Sequence, residues 1–217
     1  MRRIALFLSF VAFLPLAACS STQIALKESL GYAKREQLVD RVEDARDGQE
    51  AAKEQFESAL AEFLSVTGAD TGELEKKYSA VKKQYDRCED RAEAVNGRIK
   101  DVERVATALF KEWDAELDQY ASSDLRAASK RQLDDTRVKY EALVSTMKQA
   151  AAKMDPVLAA FKDQTLFLKH NLNARAIASL QETSGQIQSD VQTLVAEMEQ
   201  AINEANAFIR EMQAGQG

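Results

Sequence analysis

The sequence predicts an all-α protein, an elongated antiparallel four-helix bundle or coiled coil with helices of about 40 to 48 residues. Apolar or small residues recur at alternating intervals of three and four, the heptad spacing of long helices packed side by side. The 217 residues include only 8 Gly and 2 Pro, too few for a fold of short strands and tight turns. Further apolar residues flank the heptad positions and widen each stripe to the breadth of a bundle-facing helix. They are Leu60, Leu64, Val105, Phe110, Leu117, Leu143, Leu166 and Val195.

Residues 1–18 are predicted to be a lipoprotein signal peptide that is removed from the mature chain. Two arginines precede an apolar run of about 15 residues, shorter than the ~20 needed to span a bilayer. The run ends in Leu-Ala-Ala-Cys at residues 16–19, which resembles the lipobox of bacterial lipoproteins. This resemblance implies lipid on Cys19, and Ser20 after it favours the outer membrane of a Gram-negative cell, on the periplasmic face. The alternative is an ordinary secretory signal followed by a chance cysteine.

The remaining residues, 19–217, are predicted to form a single domain whose first helix lies near 24–66. Its heptad positions are apolar or small, with one interruption at Gln49. These positions are Leu38, Val42, Ala45, Ala52, Phe56, Ala59, Phe63 and Val66. Residues 67–72 read as a turn by composition, and Asp70 or Thr71 can cap the helix that follows.

The second helix is predicted near 73–120 and shows the heptad pattern without a miss. Its heptad positions are Leu74, Tyr78, Val81, Tyr85, Cys88, Ala92, Val95, Ile99, Val102, Ala106, Leu109 and Trp113. Because Cys88 falls on this stripe, we expect it to be a buried core thiol rather than a partner in an intermolecular disulfide. Ser122, Ser123 and Asp124 then provide three consecutive candidates for the N-cap of the next helix.

The third and fourth helices are predicted near 124–170 and 173–212. Two sites could hold the turn between them, residues 170–173 and residues 183–185. The fourth heptad series runs unbroken through Gly185, so we prefer the turn near Asn171 to Asn173, because Asn tolerates turn conformations and caps helices. Pro156 lies inside the third series, and since the heptad register continues across it, we expect a kink rather than a turn.

Composition argues against several classes of function. Removal of residues 1–18, which contain two Arg and no acidic residue, changes the net charge from −6 to −8. A chain this acidic is a poor partner for nucleic acid. One His in the whole chain excludes the Glu-x-x-His pairs of a di-iron bundle. Glycine-rich phosphate loops are absent from the sequence as well. We therefore expect no enzyme activity, no metal and no cofactor.

The predicted topology separates the two ends of the bundle. With four matched helices joined by short turns, both termini lie at one end, which a lipid on Cys19 would hold at the membrane. The turns at 67–72 and 170–173 share the opposite end. Polar residues concentrate there and form our candidate surface for a partner. They are Asp70, His170, Asn171, Asn173 and Arg175.

Several stretches resemble an uncharacterised family of proteobacterial lipoproteins, catalogued as a domain of unknown function. The most specific stretch is 153–180, which includes Leu168-Lys169-His170-Asn171-Leu172-Asn173. Residues 38–42 and 110–117 are similar as well. The resemblance implies a helical fold and a location in the cell envelope, and it assigns no catalytic residues.

Two functional hypotheses follow. The preferred one is a lipid-anchored periplasmic scaffold or protein-interaction module, attached to the membrane through its N-terminal lipid. It would contact another envelope protein or the cell wall through the membrane-distal end. The alternative is an oligomerising coiled-coil factor that assembles in the envelope or acts on the membrane, and the sequence leaves the oligomeric state open.

Overall fold

The structure is a computed structural model that describes residues 33–68 and 71–214, apart from the side chains of Thr71 and Ala174. This part of the chain contains four α-helices and a short 3-10 turn at Thr71–Glu73, and it contains no strand. The predicted all-α four-helix bundle is therefore confirmed. The helices are α1 (Lys34–Val66), α2 (Leu74–Leu117), α3 (Ser123–His170) and α4 (Ala174–Ala214).

The helices form an antiparallel ring in which each packs against two neighbours. Helix α1 lies between α2 and α4, and α3 lies between the same two helices on the other side. The heptad stripes meet in the centre of the bundle. There the aromatic rings of Phe63 on α1 and Phe161 on α3 have centroids 6.1 Å apart. Since burying a large apolar side chain stabilises a fold by about 1.5 to 3 kcal/mol, this continuous stripe is the main source of stability. The largest fully buried side chains include Phe56, Phe63, Phe161, Met147 and Met154.

The first two helices differ from the predicted bounds at their ends. Residues 24–32 of the predicted first helix lie outside the described residues. In the described part of the chain, α1 begins at Lys34. Asp70 also lies outside the described residues. Helix α2 begins at Leu74 after the 3-10 turn, with Glu73 at the N-cap position and no side-chain capping hydrogen bond. It ends at Leu117, before the predicted residue 120.

Polar caps determine where α3 begins and where the last turn lies. Ser122 is the N-cap of α3, and its hydroxyl oxygen accepts a hydrogen bond from the backbone N–H of Leu125 at 3.3 Å. The last connection consists of residues 171–173, and Gly185 lies inside α4. Helix α3 continues through Pro156, whose side chain is exposed.

The two ends of the bundle are each closed by contacts between helices. At the base, where α1 begins and α4 ends, Arg35 Nη2 donates to the carbonyl of Met212 at 2.9 Å. At the tip, where α1 and α3 end and α2 and α4 begin, Gln181 Nε2 donates to the carbonyl of Thr67 at 2.8 Å. The described chain therefore begins and ends at the base, and the turn at 171–173 lies at the tip.

The interruption of the heptad pattern at Gln49 is a polar side chain in the core. Gln49 is fully buried, and its Nε2 donates to the backbone carbonyl of Met147, on the diagonal helix α3, at 3.3 Å. Its Oε1 has no hydrogen-bond partner. Next to it, Gly48 makes room for Arg98, because a Cβ at Gly48 would lie 2.8 Å from Arg98 Cδ. Arg98 Nη1 donates to the carbonyl of Asp44 at 2.6 Å, so this arginine lies across α1.

Candidate functional site

The tip turn between α3 and α4 is held by its two asparagines. Asn173 Oδ1 accepts hydrogen bonds from the backbone N–H groups of Arg175 at 3.0 Å and Ala176 at 3.2 Å, so Asn173 caps the start of α4. Asn171 Nδ2 donates to the carbonyl of Phe167 at 3.0 Å and satisfies one of the carbonyls left open at the end of α3. Both asparagines therefore shape the turn through hydrogen bonds within the chain.

The other predicted tip residues present free surface. His170 and Arg175 are exposed on either side of the turn. Leu172 lies between them in the sequence and is 41% exposed, although the heptad pattern does not predict a role for it. Asp70, the remaining residue of the predicted surface, lies outside the described residues. The exposed side chains of the tip turn thus include those of His170, Leu172 and Arg175.

Cys88 lies in the core, where α2 packs against α1. Its side chain is fully buried, and Sγ donates to the carbonyl of Gln55 at 3.7 Å. Burial raises the pKa of the Cys88 thiol to about 12. A thiol with that pKa is almost wholly protonated at neutral pH, which makes it a poor nucleophile and a poor partner for a disulfide. The other cysteine, the predicted lipidation site Cys19, lies outside the described residues.

A groove that the heptad pattern does not predict opens along the seam between α1 and α4. It encloses about 340 Å³, and its walls are aliphatic, with a carboxylate and an amide at the rim. We call this groove the seam window. Its lining residues are Glu57, Leu60, Ala61, Leu64, Val191, Gln192 and Val195.

The sequence did contain a signal for the seam window. Leu60, Leu64 and Val195 belong to the apolar residues that flank the heptad positions, and a bundle-facing helix was expected to bury them. In the structure all three are only half-buried. The rotation of α1 and α4 about their axes decides how far such flanking residues turn towards the core, and a heptad pattern does not specify that rotation to within one residue.

Charge is unevenly distributed over the four helices. Helix α1 has nine acidic and five basic side chains and α4 has six acidic and two basic, so each carries a net charge of −4. Helix α2 is balanced at ten of each, and α3 has nine basic and six acidic side chains, a net charge of +3 with His170 neutral. The seam window therefore lies between the two acidic helices.

Residues 33–68 and 71–214 contain no group of three or more His, Cys, Asp or Glu side chains placed to hold a metal ion. None of the helices in that part of the chain is long and apolar enough to cross a membrane. Their exposed apolar features include Leu172 at the tip and the seam window.

Comparison with known proteins gives one family. Residues 24–212 match the family described as "Protein of unknown function (DUF2959)". No curated protein and no solved structure is significantly similar to the chain. Because the matched segment covers more than half of the 217 residues, the chain belongs to the DUF2959 family of proteins of unknown function.

Proposed function

We propose that the protein is a lipid-anchored periplasmic scaffold or protein-interaction module of the outer membrane, whose tip contacts another envelope protein or the cell wall. The observation that carries this proposal is the separation of the two ends of the bundle. Helix α1 begins and α4 ends at the base, joined by the hydrogen bond from Arg35 to Met212. The exposed His170, Leu172 and Arg175 lie at the tip. A helix of 33 residues such as α1 spans about 50 Å, so the two ends are well separated.

The anchor in this proposal is the lipid on Cys19. Its support is the resemblance of residues 16–19 to a lipobox, after a short apolar run with two arginines before it. Residues 20–33 connect Cys19 to the start of α1 along the chain, so the link to the anchor would enter the bundle at its base. A diacylated or triacylated cysteine binds a membrane far more firmly than a single acyl chain.

The proposal assigns no catalytic role to the chain. Its single histidine is exposed at the tip. The thiol of Cys88 is buried in the core, and burial raises its pKa to about 12. These positions suit contact and packing better than general acid–base or nucleophilic chemistry.

The anchor is tested by growing cells with labelled palmitate. The wild-type chain should incorporate the label and sediment with the outer membrane, and the Cys19→Ser variant should lose both properties. A wild-type chain that stays unlabelled and fractionates with soluble proteins would contradict the anchor.

The tip contact is tested with a photocrosslinking amino acid at position 172, with the same amino acid at position 125 near the base as the matched control. We expect position 172 to capture one defined envelope protein or peptidoglycan and position 125 not to capture it. Replacing His170 and Arg175 together with alanine should abolish the capture and leave the melting temperature unchanged. Equal capture from both positions would overturn the tip as the contact surface.

The asparagines need a separate control, because they shape the turn. Asn173→Ala removes the N-cap of α4 and should lower the free energy of unfolding by about 1 kcal/mol, measured by urea denaturation. Loss of capture in this variant would report on the fold, so the test of the contact depends on His170 and Arg175. If Asn173→Ala unfolds at the same urea concentration as the wild type, the capping role assigned here is wrong.

The alternative, an oligomerising or membrane-acting factor, draws support from the base. Tyr120 and Leu125 are 42% and 61% exposed there, and Tyr120 lines a groove together with Arg126 and Lys130. Sedimentation of the full chain with Cys19→Ser separates the two proposals. A monomer supports the scaffold, and a stable oligomer that dissociates on Leu125→Ser supports the alternative.

A further inference from the structure

The seam between α1 and α4 is bridged by polar side chains at four levels. These bridges tie the two helices together at the base, in the middle and at the tip. They are Arg35 to the carbonyl of Met212, Arg46 to Asn206, Lys53 to Glu199, and Gln181 to the carbonyl of Thr67. The antiparallel register is thus consistent along the whole seam.

Between the third and the fourth bridge, the side chains that line the seam are mainly apolar. Leu60, Ala61 and Leu64 form the wall on α1, with the carboxylate of Glu57 at the rim, and Val191 and Val195 face them from α4. No hydrogen bond or ion pair of the described side chains joins α1 to α4 here. Eight residues of α1 cover about 11 Å, or roughly two helical turns. The window is therefore the right length for two or three apolar side chains that recur every three or four residues on one face of a partner helix.

The charges beside the seam window are mainly acidic. Glu57 lines it, and Glu54 is exposed one turn earlier on α1. Glu199 lies one turn beyond Val195 on α4, and Lys53, the basic residue on this part of the seam, is already paired with Glu50 at 2.8 Å and with Glu199 at 3.8 Å. Helix α4 contributes no positive charge near the window, because it has no Lys, Arg or His between Arg175 and Arg210. An apolar groove with an acidic rim attracts an apolar ligand that carries positive charge at its edges.

We propose that the seam window is a docking site for a basic amphipathic helix of another protein, with its apolar side chains in the window and its Lys or Arg side chains against the glutamates of α1 and α4. This inference extends the interaction-module part of the proposed function to a second surface. It does not depend on the lipid anchor or on the tip contact. Because the tip is tested by crosslinking at position 172 and the window by peptide binding, failure of one proposal is distinguishable from failure of the other.

The test is binding of a synthetic peptide to the purified full chain with Cys19→Ser, followed by fluorescence anisotropy. The probe is a labelled helical peptide of about 18 residues, with Leu at the heptad positions and Lys elsewhere. A peptide with Glu in place of Lys is the matched control. We expect the Lys peptide to bind at least about tenfold more tightly at low ionic strength, with a difference that shrinks as salt is added. Equal binding of the two peptides, or no binding of either, would overturn the proposal.

Substitutions in the protein then locate the binding. Ala61→Lys places a long charged side chain over the exposed wall of the window and should weaken binding of the Lys peptide about tenfold. Ala152→Lys makes the same change at an exposed position of α3, the helix diagonal to α1, and should leave binding within about twofold. Equal losses in both variants would mean attraction by net charge alone and would reject the window as the site.

A second variant removes the apolar wall without adding charge. Val195→Gln should weaken the Lys peptide several-fold with an unchanged far-ultraviolet circular dichroism spectrum, because Val195 is only half-buried. Unchanged binding in Val195→Gln would contradict docking in the window.

Sedimentation of the chain alone tests a different occupant, a second copy of this chain. A wild-type dimer that Ala61→Lys abolishes would mean that the second copy fills the window. The assignment to another protein would then fail.

Discussion

Helix α1 has one seam with α2 and another with α4, and the two differ at the same level of the helix. On the α2 side, Gln55 Nε2 donates to Gln84 Oε1 at 2.7 Å. One turn along, Cys88 is fully buried against the backbone of Gln55. Near the tip, Lys77 Nζ donates to Ser65 Oγ at 2.9 Å. Long polar side chains reach across this seam and close it.

On the α4 side of the same stretch, the seam is open. Leu60, Leu64 and Val195 are half-buried and line the seam window. Aliphatic side chains form no hydrogen bond or ion pair across the seam, and the groove between them is open to solvent. The difference shows that the heptad stripe determines the core, whereas the residues beside the stripe determine whether a seam is sealed or available to a partner. The following variants test that distinction.

The largest expected difference is in thiol reactivity. In the full chain with Cys19→Ser, Cys88 should react with an aromatic disulfide reagent at pH 8 about a thousandfold more slowly than a cysteine introduced by Ala61→Cys together with Cys88→Ala. A pKa of about 12 leaves only a trace of thiolate at Cys88, whereas Ala61 is exposed in the window. The rate of absorbance change measures how fast each cysteine reacts with the reagent. Equal rates in the folded protein would show that the α1–α2 seam is not closed.

The same burial predicts a pH dependence of stability. Because the thiol is harder to ionise in the folded chain, the unfolded state loses its proton first, and stability falls as pH rises above the ordinary thiol value of 9.0 towards about 12. The free energy of unfolding should fall by up to about 1.4 kcal/mol per pH unit more in the wild type than in Cys88→Ala. Urea denaturation of both proteins at several pH values measures this difference. If their free energies of unfolding fall in parallel as pH rises, the prediction is wrong.

Next in size is the contrast between two neighbouring residues of α1. Phe63→Ala should lower the free energy of unfolding by about 3 to 5 kcal/mol, since Phe63 is fully buried against Phe161. Leu64→Ala, in the window, should cost less than about 1 kcal/mol, because its side chain is already partly in water. Urea denaturation of both variants measures the difference. Similar costs would mean that the window is as tightly packed as the core.

The smallest effect concerns the polar side chain in the core. Gln49→Leu should raise the free energy of unfolding by about 1 kcal/mol, because removing a buried oxygen that has no hydrogen-bond partner outweighs losing the one long hydrogen bond to Met147. The same change in the seam, Gln55→Leu, should lower it slightly, since it breaks the hydrogen bond to Gln84. Thermal melts of the two variants should move in opposite directions, and a shift in the same direction would contradict the assigned roles.

Much of the fold could be predicted from the spacing of apolar residues. The series through Phe56, Phe63, Cys88 and Val102 identifies side chains that the structure buries completely. The tip was less predictable. Asn171 and Asn173 were identified as turn residues, but their hydrogen bonds to Phe167 and to the start of α4 depend on the path of the turn. The sequence does not distinguish Leu172, because an apolar residue in a heptad-rich chain gives no sign that it faces water.

The sequence by itself determined the all-α class, the four helices and the core stripe, because helix periodicity is a local property that neighbouring residues carry together. Tertiary structure decided which seams close. Whether Leu60 and Val195 are sealed in or left at a groove depends on the rotation of two helices distant in sequence. The same holds for Gln49, whose one hydrogen bond reaches a carbonyl on the diagonal helix. Such contacts form only when the helices pack. The sequence pattern therefore identifies the residues but does not determine which of them are in contact.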